Sequence, residues 1–194
     1  AMNLAISKAH DHGIGLGTVR DSNHFGAAGF YTRIAADQGL IGIASTNSNP
    51  LIVPTHAQQA ALGSNPVAFA VGKAEDQFVY DAATSTVSLG KIEVLTKLEE
   101  PIDGDWAVDA SGQIEHSSSN VMDGLHLTPR VGGLTPLGGV GEKNSGYKGY
   151  GLSVIVEILT GVLSSGFRSL HSQGQHICNC FWALSPAAFR GPHA

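Results

Sequence analysis

"HDHGIGLGTVRDSNHFGAAGFYTRIAADQG" (His10 to Gly39) carries the decision about the fold. Its first glycines, "GIGLG" (Gly13 to Gly17), resemble a dinucleotide fingerprint in spelling only. That fingerprint follows a strand and opens a helix, so that the helix N-terminus meets a pyrophosphate. Here the order is reversed. Upstream, Met2, Ala5, Ile6 and Ala9 recur at i, i+3, i+4 and i+7, which predicts a helix to about His12 with Gly13 as its stop. Downstream, "IGLGTV" reads as a short buried strand. The glycines are a helix stop and a tight strand, and the Rossmann reading fails.

The second half of the stretch places His24, with Ser22, Asn23 and Gly26 around it, before a second helix. Ala27, Phe30, Tyr31, Ile34 and Ala35 are read as the apolar face of that helix, and Gly39 as its stop. Free backbone N–H groups and the positive end of the dipole favour an anion at such a helix start. Histidine titrates near neutrality, so His24 is a candidate to give or take a proton in a redox step on a carbonyl or alcohol. The structural alternative is a capping or buried, hydrogen-bonded histidine.

Working outward, "LIGIAST", "PVAFAV" and "FVYDA" read as strands, with Asn and Pro turn chemistry in "NSNP". A helix is expected from about Thr84 to Leu98, with Val87, Val94 and Leu98 on one side. "DGDWAVDASGQI" is irregular, with a turn at Ser111-Gly112, and His116 to Gly133 is expected to be a long polar loop. Lys148 to Leu163 reads as a buried helix, because its apolar residues go most of the way round. "ICNCFWAL" is a late strand. Helices and strands in this order give a mixed α/β class with no linker that would divide the chain.

The composition narrows the function. The 194 residues are 42% hydrophobic, enough for a sizeable core, and the net charge is −5 with no basic cluster. That charge pattern does not suit nucleic acid. The longest apolar run, Gly151 to Leu163, contains Glu157 and is shorter than the ~20 residues a membrane span needs, so no membrane partner and a cytoplasmic location are expected. Cys178 and Cys180 form C-x-C with no second pair, which reads as reduced strand cysteines and not as a metal site. "GGVGEKNSG" (Gly138 to Gly146) fails the phosphate-loop pattern, because Lys143 is neither preceded by Gly nor followed by Ser or Thr. His56, after "IVPT", is a candidate second polar group at a cleft. Lys148, among glycines at a helix start, is a candidate ligand contact, with a solvated terminal lysine as the alternative.

Seven ordered motifs carry a resemblance: "SNHFGAAGFY" (Ser22 to Tyr31), "TNSNPLIVP" (Thr46 to Pro54), "GSNPVAFAV" (Gly63 to Val71), "DAATS" (Asp81 to Ser85), "DWAVDASG" (Asp105 to Gly112), "LTPLGG" (Leu134 to Gly139) and "YKGYGLSVIVEILTGVLS" (Tyr147 to Ser164). The chain resembles the type-2 malate/L-lactate dehydrogenase family, best over residues 1–165. The resemblance implies a non-Rossmann NAD(P)-binding fold, one incomplete dehydrogenase domain over 1–194, and a homodimer. It implies hydride transfer between NAD or NADP and a small 2-hydroxy or 2-oxo acid such as malate or lactate. His24 matches the proposed proton acceptor of the S-N-H-F-G motif. Ser48, Ala82, Ala83, Thr84 and Lys148 match cofactor-contacting positions, with Ala82 where methionine is usual. The resemblance also places an S-H-G histidine and a substrate-binding arginine before Ala1, and a C-terminal tail after Ala194, outside this chain. A catalytically inactive relative that only binds dinucleotide or a partner subunit is the alternative.

Overall fold

The structure is a computed structural model that describes residues 1–167, 169 and 176–189. Its centre is a five-stranded sheet. The strands are β1 (Ile14–Ser22), β2 (Ile41–Thr46), β3 (Val67–Val71), β4 (Phe78–Ala82) and β7 (Ile177–Leu184), in the order β1-β7-β2-β3-β4. Every neighbouring pair is antiparallel. A Rossmann sheet is mostly parallel, so the mixed class and the non-Rossmann expectation both hold.

Helix α1 (Met2–His12) ends where expected, with Gly13 in the left-handed region at φ 82. Gly15 follows because α1 lies directly on the strand. A Cβ there would overlap the Ala5 carbonyl and come within 2.9 Å of the Lys8 Cβ. The "GIGLG" glycines are therefore a cap and a close approach between helix and sheet.

Helix α2 (Ala28–Ala36) packs beside α1, but on a different face from the one expected. Ala28, Gly29, Thr32, Ala35 and Ala36 are buried, while Phe30 is 65% exposed. Small residues let the helix approach the sheet, and Tyr31 and Ile34 pack at its margin. One core lies between these helices and the sheet, with Met2, Ile6, Leu40, Ala44, Ala68, Phe181 and Ala183. Because strand side chains alternate, Cys178 and Cys180 point to the other face. Both are buried and free.

A second core gathers Ile92, Ile102, Val121, Leu125 and Leu134. Helices α3 (Leu89–Leu98) and α4 (Ser118–His126) enclose it with a short pair, β5 (Ala107–Val108) and β6 (Gly133–Leu134). Two expectations are corrected here. Helix α3 starts five residues later than Thr84, because the backbone from Thr84 to Thr86 is bonded to Ser64 and Thr135 instead. Ile92 is its buried residue, while Val94 and Leu98 are exposed. The polar stretch after His116 contains α4. Ser117 caps it by accepting from the Asn120 N–H, and Val121 and Leu125, one turn apart, bury its inner face. Burying a side chain such as Ile92 or Leu125 contributes about 2 kcal/mol.

Helix α5 (Gly146–Glu157) continues into a π-helical turn over Ile158–Val162. It is not buried all round. Gly149, Ser153, Val156, Glu157, Thr160 and Gly161 face inward, while Leu152, Ile155, Ile158 and Val162 are about half exposed. Small and polar residues occupy the contact because α5 lies against loops whose backbone groups need partners.

Candidate functional site

The bulk of the site is built by four segments that leave the ends of strands. The first is the Asn23–Ala27 loop between β1 and α2. Within it the Gly26 N–H donates to His24 Nδ1 at 3.1 Å. That bond makes Nδ1 an acceptor, so the proton of the neutral ring sits on Nε2. The ring is exposed, and Phe25 anchors the loop beneath it by stacking on Tyr31 with ring centroids 4.9 Å apart. The Tyr31 hydroxyl in turn donates to the Phe25 carbonyl at 2.8 Å.

The start of α2 is not an open anion site. Its Gly29 N–H donates to Asp81 Oδ2 at 2.7 Å. The negative partner expected near a helix N-terminus is thus supplied by the chain itself, from the end of β4.

The second and third segments meet in front of His24. After β2 the chain runs through Asn47, Ser48 and Asn49, and before β3 it runs through Gly63 to Pro66. His24, Phe25, Gly26, Thr46, Asn47, Ser48, Asn49, Ser64, Pro66 and Ile177 line one cavity of about 140 Å³. Within it the Ser64 N–H donates to Ser48 Oγ at 3.0 Å, and the two hydroxyls lie 3.3 Å apart. His24 and Ser48, far apart in sequence, therefore share one concavity.

The fourth segment is Ala82–Thr84. Ala82 pairs with Val67, which holds this stretch beside Pro66 at the cavity wall. Thr84 is buried, and both its N–H and its hydroxyl donate to the Ser64 carbonyl, at 2.8 and 3.0 Å. Its polar groups are spent inside the fold, so Thr84 orders the stretch while Ala82 and Ala83 remain partly exposed. The Thr84 carbonyl accepts from Leu137 N–H, and the Leu137 carbonyl accepts from Gly149 N–H. This line of bonds ties the cavity to the first turn of α5.

Lys148 sits on that turn, exposed, with its ammonium 5.9 Å from the Tyr147 ring centroid. It does not line the cavity with His24. His56 lines a separate cavity of about 180 Å³ and faces Glu142 at 3.5 Å. His10 and His12 lie in the last turn of α1. His116 is set against the Ile102 carbonyl at 3.0 Å, and His126 ends α4. His171, Arg168, Arg190 and His193 lie outside the described residues. Sequence reasoning missed Ser64 and Asn65, although "GSNP" was in view; a turn-forming run between two strands was the available signal.

A family model for malate/L-lactate dehydrogenase matches residues 1–194. The chain belongs to that family. Its match includes the stretch after Ser165, from which β7 enters the interior of the sheet. The chain is 44% identical over 190 residues to the malate dehydrogenase of Pyrococcus abyssi, covering 95% of this chain and 51% of that protein. It is 35% identical over 162 residues to the L-sulfolactate dehydrogenase of Methanocaldococcus jannaschii, covering 84% of this chain and 43% of that protein. Among solved structures, the malate dehydrogenase of Entamoeba histolytica superimposes with a TM-score of 0.90 at 32% identity, over 98% of this chain and 54% of that one. The chain thus spans about half the length of the family members it matches. Among the described residues, no helix is long and apolar enough to cross a membrane.

Proposed function

We propose that this chain carries the nicotinamide-binding and proton-handling half of an oxidoreductase acting on a small 2-hydroxy or 2-oxo acid. The observation that carries the reading is the cavity shared by His24, Ser48 and Ser64 at the ends of the strands. The cavity has room for one ring-sized group, flanked by hydroxyl and amide donors, with the Ala82–Ala83 stretch and the first turn of α5 extending the surface beyond it. Those residues fit a dinucleotide laid along strand ends: Ser48 and Ser64 offer hydroxyls, Ala82 and Ala83 allow close approach, and Lys148 offers a charge for a phosphate or ribose.

The cofactor supplies hydride exchange at C2 of the acid. The chain's own part is the proton. In the oxidation direction the hydroxyl proton passes to His24 Nδ1, the acceptor nitrogen of the ring, which gives up the Gly26 N–H to take it; in the reduction direction the same atom returns the proton to the carbonyl oxygen. Before the proton moves, the Gly26 N–H orients the ring, and the stack of Phe25 on Tyr31 anchors the loop that carries it.

NAD and NADP are both compatible with this surface; malate, sulfolactate and the cyclic imino acid pyrroline-2-carboxylate are named for relatives, and L-lactate in the description of the family. The reading of a catalytically inactive relative draws no support from them, because each is named a dehydrogenase or reductase. A homodimer is proposed as well. The half-exposed stripe Leu152, Ile155, Ile158 and Val162 along α5 and its π-helical turn is apolar enough to be covered by a second copy. The two buried free cysteines suit a reducing, cytoplasmic setting.

The test is calorimetric titration of the purified chain with NADH and with NADPH, followed by oxidation assays against pyruvate and oxaloacetate. Binding of either cofactor, weakened by Lys148→Ala or Ser48→Ala, is the expected result. A folded sample that binds neither overturns the proposal.

A further inference from the structure

Glu157 is a carboxylate with 6% of its surface exposed, and it takes no part in the site described above. Burying such a charge is costly unless hydrogen bonds replace its water. Here they do. Oε1 accepts from the Asn65 amide at 2.8 Å and from the Ser169 hydroxyl, and Oε2 accepts from the Ser169 N–H at 3.0 Å. Asn65 is wholly buried and held at φ 39, in the left-handed region. The same Asn65 amide reaches the Ser153 hydroxyl and carbonyl, both at 3.1 Å. The residue before it is Ser64, which bonds to Ser48 on one side and Thr84 on the other.

The order of these bonds is informative. Glu157 fixes the Asn65 side chain. Asn65 fixes the backbone of the Gly63–Pro66 segment in a conformation that few residues adopt. That segment presents Ser64 to Ser48 and Thr84. A π-helical turn starts at Ile158, immediately after Glu157, and such turns often mark functional positions.

We infer that Glu157 is a positioning residue for the cofactor surface, acting through Asn65 on the Ser48–Ser64–Thr84 hydrogen-bond set. The inference rests on the function proposed above. A glutamine in its place keeps the shape but turns one oxygen into a donor. That donor then faces the Ser169 N–H or the Asn65 amide, both of which also donate.

The experiment compares the wild-type chain with Glu157→Gln, with Glu157→Asp in case the first fails to fold, and with Thr160→Val. Thr160 is the control: it is buried one turn further on, and among the described residues its hydroxyl bonds the Val156 carbonyl of its own helix. Two readouts are taken, amide hydrogen exchange and calorimetric affinity for NADH and NADPH. The Ser64 and Thr84 amides should exchange about tenfold faster or more in the Glu157 variants, the scale of one lost charge-assisted hydrogen bond. The Ala44 amide in β2 should be unchanged. Cofactor affinity should fall by a similar factor, and the loss should not add to that of Ser48→Ala. Thr160→Val should show neither effect. Unchanged Ser64 and Thr84 protection in a folded Glu157 variant overturns the inference, as does equal acceleration of every amide. If the wild-type chain binds neither NADH nor NADPH, the functional proposal falls, and the exchange result still decides whether Glu157 orders the segment.

Discussion

Asp81 and Gly29 are 52 positions apart, yet the Asp81 carboxylate accepts the Gly29 N–H at 2.7 Å. The bond ties the edge strand β4 to the first turn of α2. It performs the task an N-cap side chain performs elsewhere, because Ala27 at the cap position has no side-chain acceptor. Asp81→Ala should therefore destabilise the fold by about 1 kcal/mol, the usual cost of a lost cap. Urea unfolding followed by circular dichroism reads this directly, and an unchanged midpoint would show that water replaces the carboxylate without loss.

His24 is exposed, and the Gly26 N–H holds its ring. His24→Ala should leave the unfolding midpoint within about 0.5 kcal/mol of wild type, as for other exposed side chains. In a full-length relative the substitution at the matching histidine should lower turnover by about 10²- to 10⁴-fold, the contribution of a general acid or base. Steady-state kinetics in both directions decide the matter, and wild-type turnover in the variant would return His24 to a structural role.

Gly149 lies in the "KGYG" motif, beside Lys148. A Cβ at this position would overlap the backbone of Leu137, meeting its Cα at 2.7 Å. The Gly149 N–H also donates to the Leu137 carbonyl at 3.1 Å, so the two backbones cannot separate without losing that bond. Gly149→Ala should cost about 1–3 kcal/mol, the range for overpacking. Differential scanning calorimetry measures the loss, and a neutral result would mean that α5 can slide along the loop.

Asp109 offers a pH test. The Ser111 hydroxyl, with the Gln113 and Ser111 N–H groups behind it, holds its carboxyl below the ordinary carboxylate value. A group with a lowered folded pKa adds stability above its unfolded pKa, and that contribution is lost as pH falls through the folded value. Stability of the wild-type chain should therefore fall in the acid range below the ordinary aspartate pKa. Asp109→Asn should flatten that part of the profile. Parallel curves of unfolding midpoint against pH for the two proteins would remove Asp109 from the account.

Much of the fold was legible because local rules and tertiary packing agreed. The α1 period, the Gly13 stop and the strands each express a backbone preference that the rest of the molecule did not oppose. Where tertiary partners competed, the local reading failed. Thr84 to Ser88 has a sequence compatible with helix, but the Ser64, Thr135 and Pro136 carbonyls claim its donors and the helix starts at Leu89. Phe30 and Ile155 have apolar side chains suited to a core, but glycine, alanine and serine on the opposite faces allow closer approach and take the contact.

The sequence by itself determined the family, the exclusion of a Rossmann sheet and the candidacy of His24, because these depend on the order and spacing of residues along the chain. The tertiary structure decided which of the candidates meet. His24 and Ser48 line one cavity, and Thr84 joins them through Ser64. Lys148 stands apart on an exposed turn, and Asp81 occupies the helix end that the sequence left open. Glu157 shows the physical reason most plainly. Nothing in a run of apolar residues reveals that one carboxylate will be buried against an amide from a loop 92 positions away. Only the closing of that loop over α5 puts a donor within reach.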